Sequence, residues 1–315
     1  MFAYILRRSA SMLVVLFFVI TITFVLVRSM PGGPFTRERK LNPATQKQLE
    51  AQFDLDGSLW DQYTTYLGVR KNNSGQYQGL LQGDLKLSTS IKARSVREIL
   101  AQTLPISFTL GTAALLIASL GGVWLGSLAA VRHHSPIDVG AMLAALFLIS
   151  IPTFVIGPVL ILLFAIKLRA LPVGGWNSPA SLILPALTLA GPYIAYVARL
   201  MRTSMLEVLQ QDFVRTARAK GLSENRVIYQ HALKVAILPV VSFLGPLAAN
   251  LLTGSIVVET IFNIPGAGPF FVNSILSTDV FLLEGVTIVY CTLIIVLNLV
   301  VDIAYTWLDR RIRLE

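Results

Sequence analysis

Residues 204–239 read SMLEVLQQDFVRTARAKGLSENRVIYQHALKVAILP, a long basic interruption in a second half that is otherwise apolar. Ser204 followed three residues later by Glu207 reads as a capping box. Leu206, Leu209, Phe213 and Ala217 then recur on one helical face, so a helix is expected from Ser204. Arg215, Arg218 and Lys220 fall in its last turns, where cations favour the negative end of the helix dipole. Gly221 supplies a left-handed residue to end it, and Ser223 can cap a second helix. The expectation is a helical hairpin with a basic end and a glycine corner, shaped to dock in a groove on another protein. A basic helix resting on anionic lipid would use the same side chains. The glycine corner favours docking, because a helix lying on lipid needs no second helix turning back.

The flanking sequence sets the class. Of 315 residues, 54% are hydrophobic and only 14% charged, where soluble domains carry roughly a quarter charged. The chain reads as an all-α polytopic membrane protein. Its net charge of +9 is read as loops retained on the cytoplasmic side rather than as a nucleic-acid surface, since the basic runs lack interleaved aromatics. Cys291 is the single cysteine, which excludes an intrachain disulfide and assigns it to packing.

Six apolar runs follow in order. Residues 9–27, flanked by Arg7 and Arg8, are long enough to cross about 30 Å of hydrocarbon and are kept as a permanent span, since no signal-cleavage pattern follows. Residues 31–102 form a polar extracytoplasmic loop. Asn42 and Pro43 start one short helix in it, Trp60, Tyr63, Tyr66 and Leu67 form a second stripe, and NNSGQYQG at 72–79 reads as a flexible break. The remaining spans are 104–131, 139–166 (broken by Pro152 and Pro158), 182–200, 240–258, and one from Leu282 or Glu284 to Tyr305. Residues 259–280 contain no Lys or Arg, whereas 199–234 contain seven basic residues and the tail carries Arg310, Arg311 and Arg313. That asymmetry puts the hairpin and both termini in the cytoplasm. The expected divisions are 1–30, 31–102, and a five-helix core at 103–315 that includes the hairpin at 204–235.

Chemistry of its own is not expected. No GxxxxGK[ST] run exists to cradle phosphate, so energy must come from another chain. The three histidines, His133, His134 and His231, all fall in or beside cytoplasmic loops, which leaves no Ser–His pair between spans. Adjacent His133 and His134 point apart on a helix and make poor partners for one metal. Asp302 is the acidic residue read as lying well inside an apolar run. It and Glu259 are assigned mainly to packing or pairing. Asn250, Thr253 and Ser255 either line a polar path or bind a neighbouring helix. No catalytic residue, cofactor or metal is expected in this chain.

The segment 217–234, ARAKGLSENRVIYQHALK, resembles the cytoplasmic signature loop of permease subunits of binding-protein-dependent ABC importers. That family's pattern is Glu-Ala-Ala, three residues, Gly, nine residues, then Ile-x-Leu-Pro. Aligned on Gly221, only Ala217, Gly221 and Leu233 match, with Arg215 and Thr216 at the first two positions and His231 and Lys234 in the last group. The departures are similar to those of the peptide-transporting branch. YILRR at 4–8, PGGPFTRER at 31–39, LLQGDL at 80–85 and ETIFNIPGAG at 259–268 agree with that branch. PFTRER with LPVGGWN is most similar to its oligopeptide permeases. Dipeptide, nickel and other systems share much of the pattern.

The resemblance implies a type I importer permease fold that carries peptides by alternating access. It implies as partners a second homologous permease, two cytoplasmic ATPases that hold ATP and Mg, an external peptide-binding protein, and membrane lipid. It assigns Arg215, Thr216, Ala217, Arg218, Ala219, Lys220, Gly221, Leu222 and Ser223 to a coupling helix seated on an ATPase. It also implies a multi-pass protein of the bacterial inner membrane. The competing class is an ion-coupled secondary transporter, which requires midplane carboxylates and inverted halves; neither is evident.

Overall fold

The computed structural model describes residues 2–30, 42–91 and 94–308. Among these, everything regular is helical apart from one isolated bridge, Leu87 to Ser95. The helices in order are α1 (Phe2–Arg28), α2 (Pro43–Gln52), α3 (Leu59–Leu67), α4 (Val96–Val131), α5 (Pro136–Ser150), α6 (Thr153–Leu160), α7 (Ile183–Leu209) and α8 (Asp212–Ala219). They continue as α9 (Glu224–Arg226), α10 (Leu233–Ala236), α11 (Leu238–Leu252), α12 (Ile256–Ile261), α13 (Ala267–Leu276) and α14 (Val280–Leu308). The PGGPFTRER motif and the tail arginines Arg310, Arg311 and Arg313 lie outside the described residues, as does the side chain of Asp302.

Among the described residues, four helical stretches are long and apolar enough to cross a membrane: Arg7–Arg28, Val96–Val131, Pro179–Leu209 and Val280–Val301. Two bent pairs bring the number to six if each is one span. Pro136–Ser150 with Thr153–Lys167 turns through 109°, and Glu224–Ala236 with Leu238–Leu252 through 50°. The first bend sits where Pro152 forces Ile151 into extended backbone, with φ −95° and ψ 124°. The expected kinked third span is thus two helices. The second span starts at Val96 rather than Leu104. Ser95 and Glu98 form a reciprocal capping box, and Val96, Ile99 and Leu100 are buried, so an amphipathic turn extends the apolar run.

The chain divides into two compact units. The first draws on Met1–Pro105 and Gly266–Ile295. Its core gathers Phe24, Tyr66, Val96, Ile99, Leu100, Phe281, Leu282 and Val286. Within that core the Arg28 guanidinium donates to Glu284 Oε1 at 2.6 Å and to Gln62 Oε1 at 3.0 Å. It also lies 4.5 Å from the centroid of the Phe24 ring. Glu284 is 0% exposed. Glu284, expected at the edge of the sixth span, instead lies inside α14, paired with a cation from α1. Burial pushes the Tyr66 phenol well above its usual range, and the neighbouring Glu284 charge adds to the effect.

The loop of this unit is more ordered than its composition suggests. Asn42 caps α2 by accepting from Ala44 N, as expected. NNSGQYQG is no flexible break: Asn72 Oδ1 accepts from Ser74 N and Gln76 N, and Asn73 ties back to Asp54 and Asp56. The aromatic stripe splits, with Tyr66 3% exposed and Trp60 71% exposed. Buried Asp279 receives the Ser88 and Ser90 hydroxyls and the backbone N–H groups of Thr89, Ser90 and Leu282, clamping that loop to the start of α14.

The second unit draws on Ile106–Pro265 and Val296–Arg313. One of its cores joins Leu110, Ala114 and Ala118 to Leu189, Leu247, Leu251 and Phe262. Gly111 permits the approach of α4 to α11, because a Cβ there would stand 2.1 Å from Leu251 O. Gly111→Val is expected to push these helices apart and destabilise the fold by at least about 1–3 kcal/mol, read as a lowered denaturation midpoint in detergent. Arg202 on α7 holds nearly buried Asp138, in the first turn of α5, through two bonds of 2.5 and 2.8 Å. His133 Nδ1 lies 3.1 Å from the same carboxylate. Glu259 is fully buried and accepts from Ser255 N at 3.3 Å, while Ser255 Oγ accepts from Val258 N, so its local role is to cap α12.

Candidate functional site

The hairpin grows out of α7. The capping box expected at Ser204 is absent, because Ser204 lies inside α7 and is buried. Met201, Met205 and Val208 extend the helix's apolar face beyond Leu200 and pack with Val214, Ala217, Val227, Ile228 and Ala232. The new helix therefore starts later, at Asp212 with Gln211 at its N-cap. Gly221 has φ +77°, the left-handed corner read from sequence, and Leu222 N donates back to Ala217 O at 3.4 Å. Ser223 occupies the expected N-cap with extended backbone, but its side chain makes no cap bond. Beyond it the chain winds as α9, a π-helical stretch Val227–Ala232, and α10.

This geometry sorts the nine expected contact residues. Arg215, Thr216, Arg218, Ala219, Lys220, Gly221 and Ser223 are exposed, Leu222 is half-buried, and Ala217 is buried. Ala217 therefore anchors the hairpin to α7 instead of facing outward. Phe213 was expected to share one face with Ala217, yet it is 39% exposed while Ala217 is buried. The later helix start explains this, since the periodicity through Leu206 and Leu209 is reset at Gln210–Gln211. Tyr229, 61% exposed, joins Phe213 as an apolar group on the hairpin surface. The signal for Tyr229 was its place one residue after the buried pair Val227 and Ile228.

Charges on the corner are partly spent locally. Arg218 donates to both oxygens of Glu224, at 3.1 and 2.6 Å, and bridges the two arms across Gly221. Arg215 reaches Asp212 only at 3.6 Å, and both groups are solvated, so that pair contributes little. What remains is a corner offering Arg215, Lys220, Phe213 and backbone at Gly221. No group of three or more His, Cys, Asp or Glu side chains that could hold a metal occurs among the described residues.

Residues 122–314 match the family model described as "Binding-protein-dependent transport system inner membrane component", and residues 1–111 match that of the N-terminal part of such membrane components. The chain belongs to this family. It is a multi-pass inner-membrane protein, a transport subunit, and the family match includes the hairpin. The dipeptide transport system permease protein DppB of Bacillus subtilis is 42% identical over 312 residues, covering 99% of this chain and 98% of that protein. The oligopeptide transport system permease protein OppB of Haemophilus influenzae is 42% identical over 315 residues, covering 99% and 100%. A crystal structure of an amino acid ABC transporter with histidines superposes with a TM-score of 0.51 at 19% identity, over 69% of this chain and 95% of that one. That likeness supports the ABC permease fold alone. The resemblance read from the signature loop thus holds along the whole chain.

Proposed function

We propose that this permease is one half of the membrane pore of an ATP-driven peptide importer, and that its 212–223 corner transmits the motion of an ATPase. The observation that carries this reading is the corner itself. Val214 and Ala217 bury it against α7 while its basic and glycine side stays exposed. A push on such a corner is delivered to α7 and α11 instead of being absorbed in a loop.

The assembly proposed contains a second homologous permease, two cytoplasmic ATPases that hold the ATP and Mg, and an external peptide-binding protein. The chain itself holds no cofactor. Both termini and the hairpin lie in the cytoplasm, and residues 31–102 lie outside. Peptides are the cargo, as the names of the dipeptide and oligopeptide permeases suggest.

Reconstitution of the five-chain complex in vesicles tests this. Radiolabelled tri-alanine is expected to accumulate only with ATP and the binding protein, and to keep accumulating when an ionophore collapses the proton gradient. Uptake that survives without ATP but stops with the ionophore would instead establish ion coupling. Accumulation of nickel ions in place of tri-alanine would correct the cargo.

A further inference from the structure

We propose that Tyr193, Tyr196, Ser242 and Asn250 form a subsite that grips the main chain of the passing peptide; the proposal rests on the importer reading. In α11, Val240, Leu247, Ala249 and Leu251 are buried, whereas Ser242, Pro246 and Asn250 are exposed. The exposed three recur every fourth residue and so share a face. Across from them on α7, Tyr196 is 44% exposed, with its ring centroid 6.4 Å from that of Phe243. Asn250 Nδ2 donates to the Tyr193 hydroxyl at 3.2 Å.

That bond does not satisfy the pair. Asn250 keeps its carbonyl oxygen and a second N–H, and Tyr193 keeps its own proton to donate. Pro246 has no N–H, so the Ser242 carbonyl lacks its helical donor on the same face. Exposed, open hydrogen-bonding groups inside an apolar helix are costly against hydrocarbon, and such backbone is tolerated where it is buried in protein or lines a wet cavity. The α7–α11 face therefore looks toward a path or another subunit, not toward lipid.

The chemistry selects a peptide main chain as the occupant. α11 and residues 183–198 of α7 contain no Asp, Glu, Lys or Arg, so the face offers neutral donors, neutral acceptors and aromatic surface without a preference for side-chain charge. From Ser242 to Asn250 the row spans about 12 Å, the length of roughly three to four extended residues. Peptides of any sequence share the amide groups that such a row can pair.

The test uses the assembled complex with Cys291→Ser. In that background, Asn250→Cys is expected to react with a charged, membrane-impermeant thiol reagent about tenfold faster than Leu120→Cys, which stands on an exposed apolar position of α4. Loading the binding protein with tri-alanine and adding ATP should slow the reaction severalfold. Asn250→Leu should reduce uptake of tri-alanine and tri-lysine by the same factor of about ten, the size expected for one or two lost hydrogen bonds. Reaction no faster than at Leu120→Cys places the face against lipid and overturns the proposal. Cross-linking to the second permease without protection by tri-alanine makes it a subunit contact and does the same. Failure of the unsubstituted complex to take up tri-alanine overturns the importer reading as well, which separates the two failures.

Discussion

Arg28→Ala is expected to destabilise the protein by about 3–5 kcal/mol, the usual penalty for removing one partner of a buried ion pair. The cost arises from what is left behind. Glu284 is 0% exposed, so without Arg28 its charge has no cation and no solvent. Rings from two helices would lose a partner too, since the guanidinium sits 4.5 Å from Phe24 and 5.6 Å from Phe281. Adding Glu284→Leu should recover most of the loss, because replacing both members of a buried pair by apolar groups is often neutral. Equilibrium unfolding in mixed micelles measures both variants. If Arg28→Ala unfolds with the unsubstituted protein, the pair is not a stabilising contact.

Gly221→Asp should reduce ATP-dependent peptide uptake by more than tenfold while the subunit still inserts and folds. Asp tolerates positive φ better than most residues, so the corner at φ +77° survives the substitution. A Cβ at Gly221 would meet nothing within 4 Å in this chain. Any large defect must therefore come from another molecule that approaches the bare backbone, or that rejects a negative charge set among Arg215, Arg218 and Lys220. Gly221→Asn separates the two: equal damage identifies close approach, and recovery identifies charge. Intact peptide-stimulated hydrolysis and uptake in Gly221→Asp would refute the docking role.

The parts of this fold legible in sequence were those set by local or one-dimensional properties. Apolar runs located the spans, and Gly221 marked its own corner. Errors came where a helix outlasted its apolar run or where two distant segments shared a site. Ser204 and Glu207 imitate a helix start, yet Met201, Met205 and Val208 carry α7 through them. That displaced the phase of the next helix and turned Phe213 outward. Asp302 drew attention as an intramembrane acid, while Glu284, whose partner lies 256 residues away, passed as a span boundary. No periodicity in either segment records that pairing.

The same separation has a consequence during synthesis. Arg28 leaves the ribosome 256 residues ahead of Glu284, roughly 13–50 s earlier at about 5–20 residues per second. Through that interval the end of α1 carries an uncompensated cation and cannot settle into its final surroundings. Closure of the first compact unit therefore awaits nearly the whole chain, and a nascent product cut short before α14 would keep Arg28 without its carboxylate.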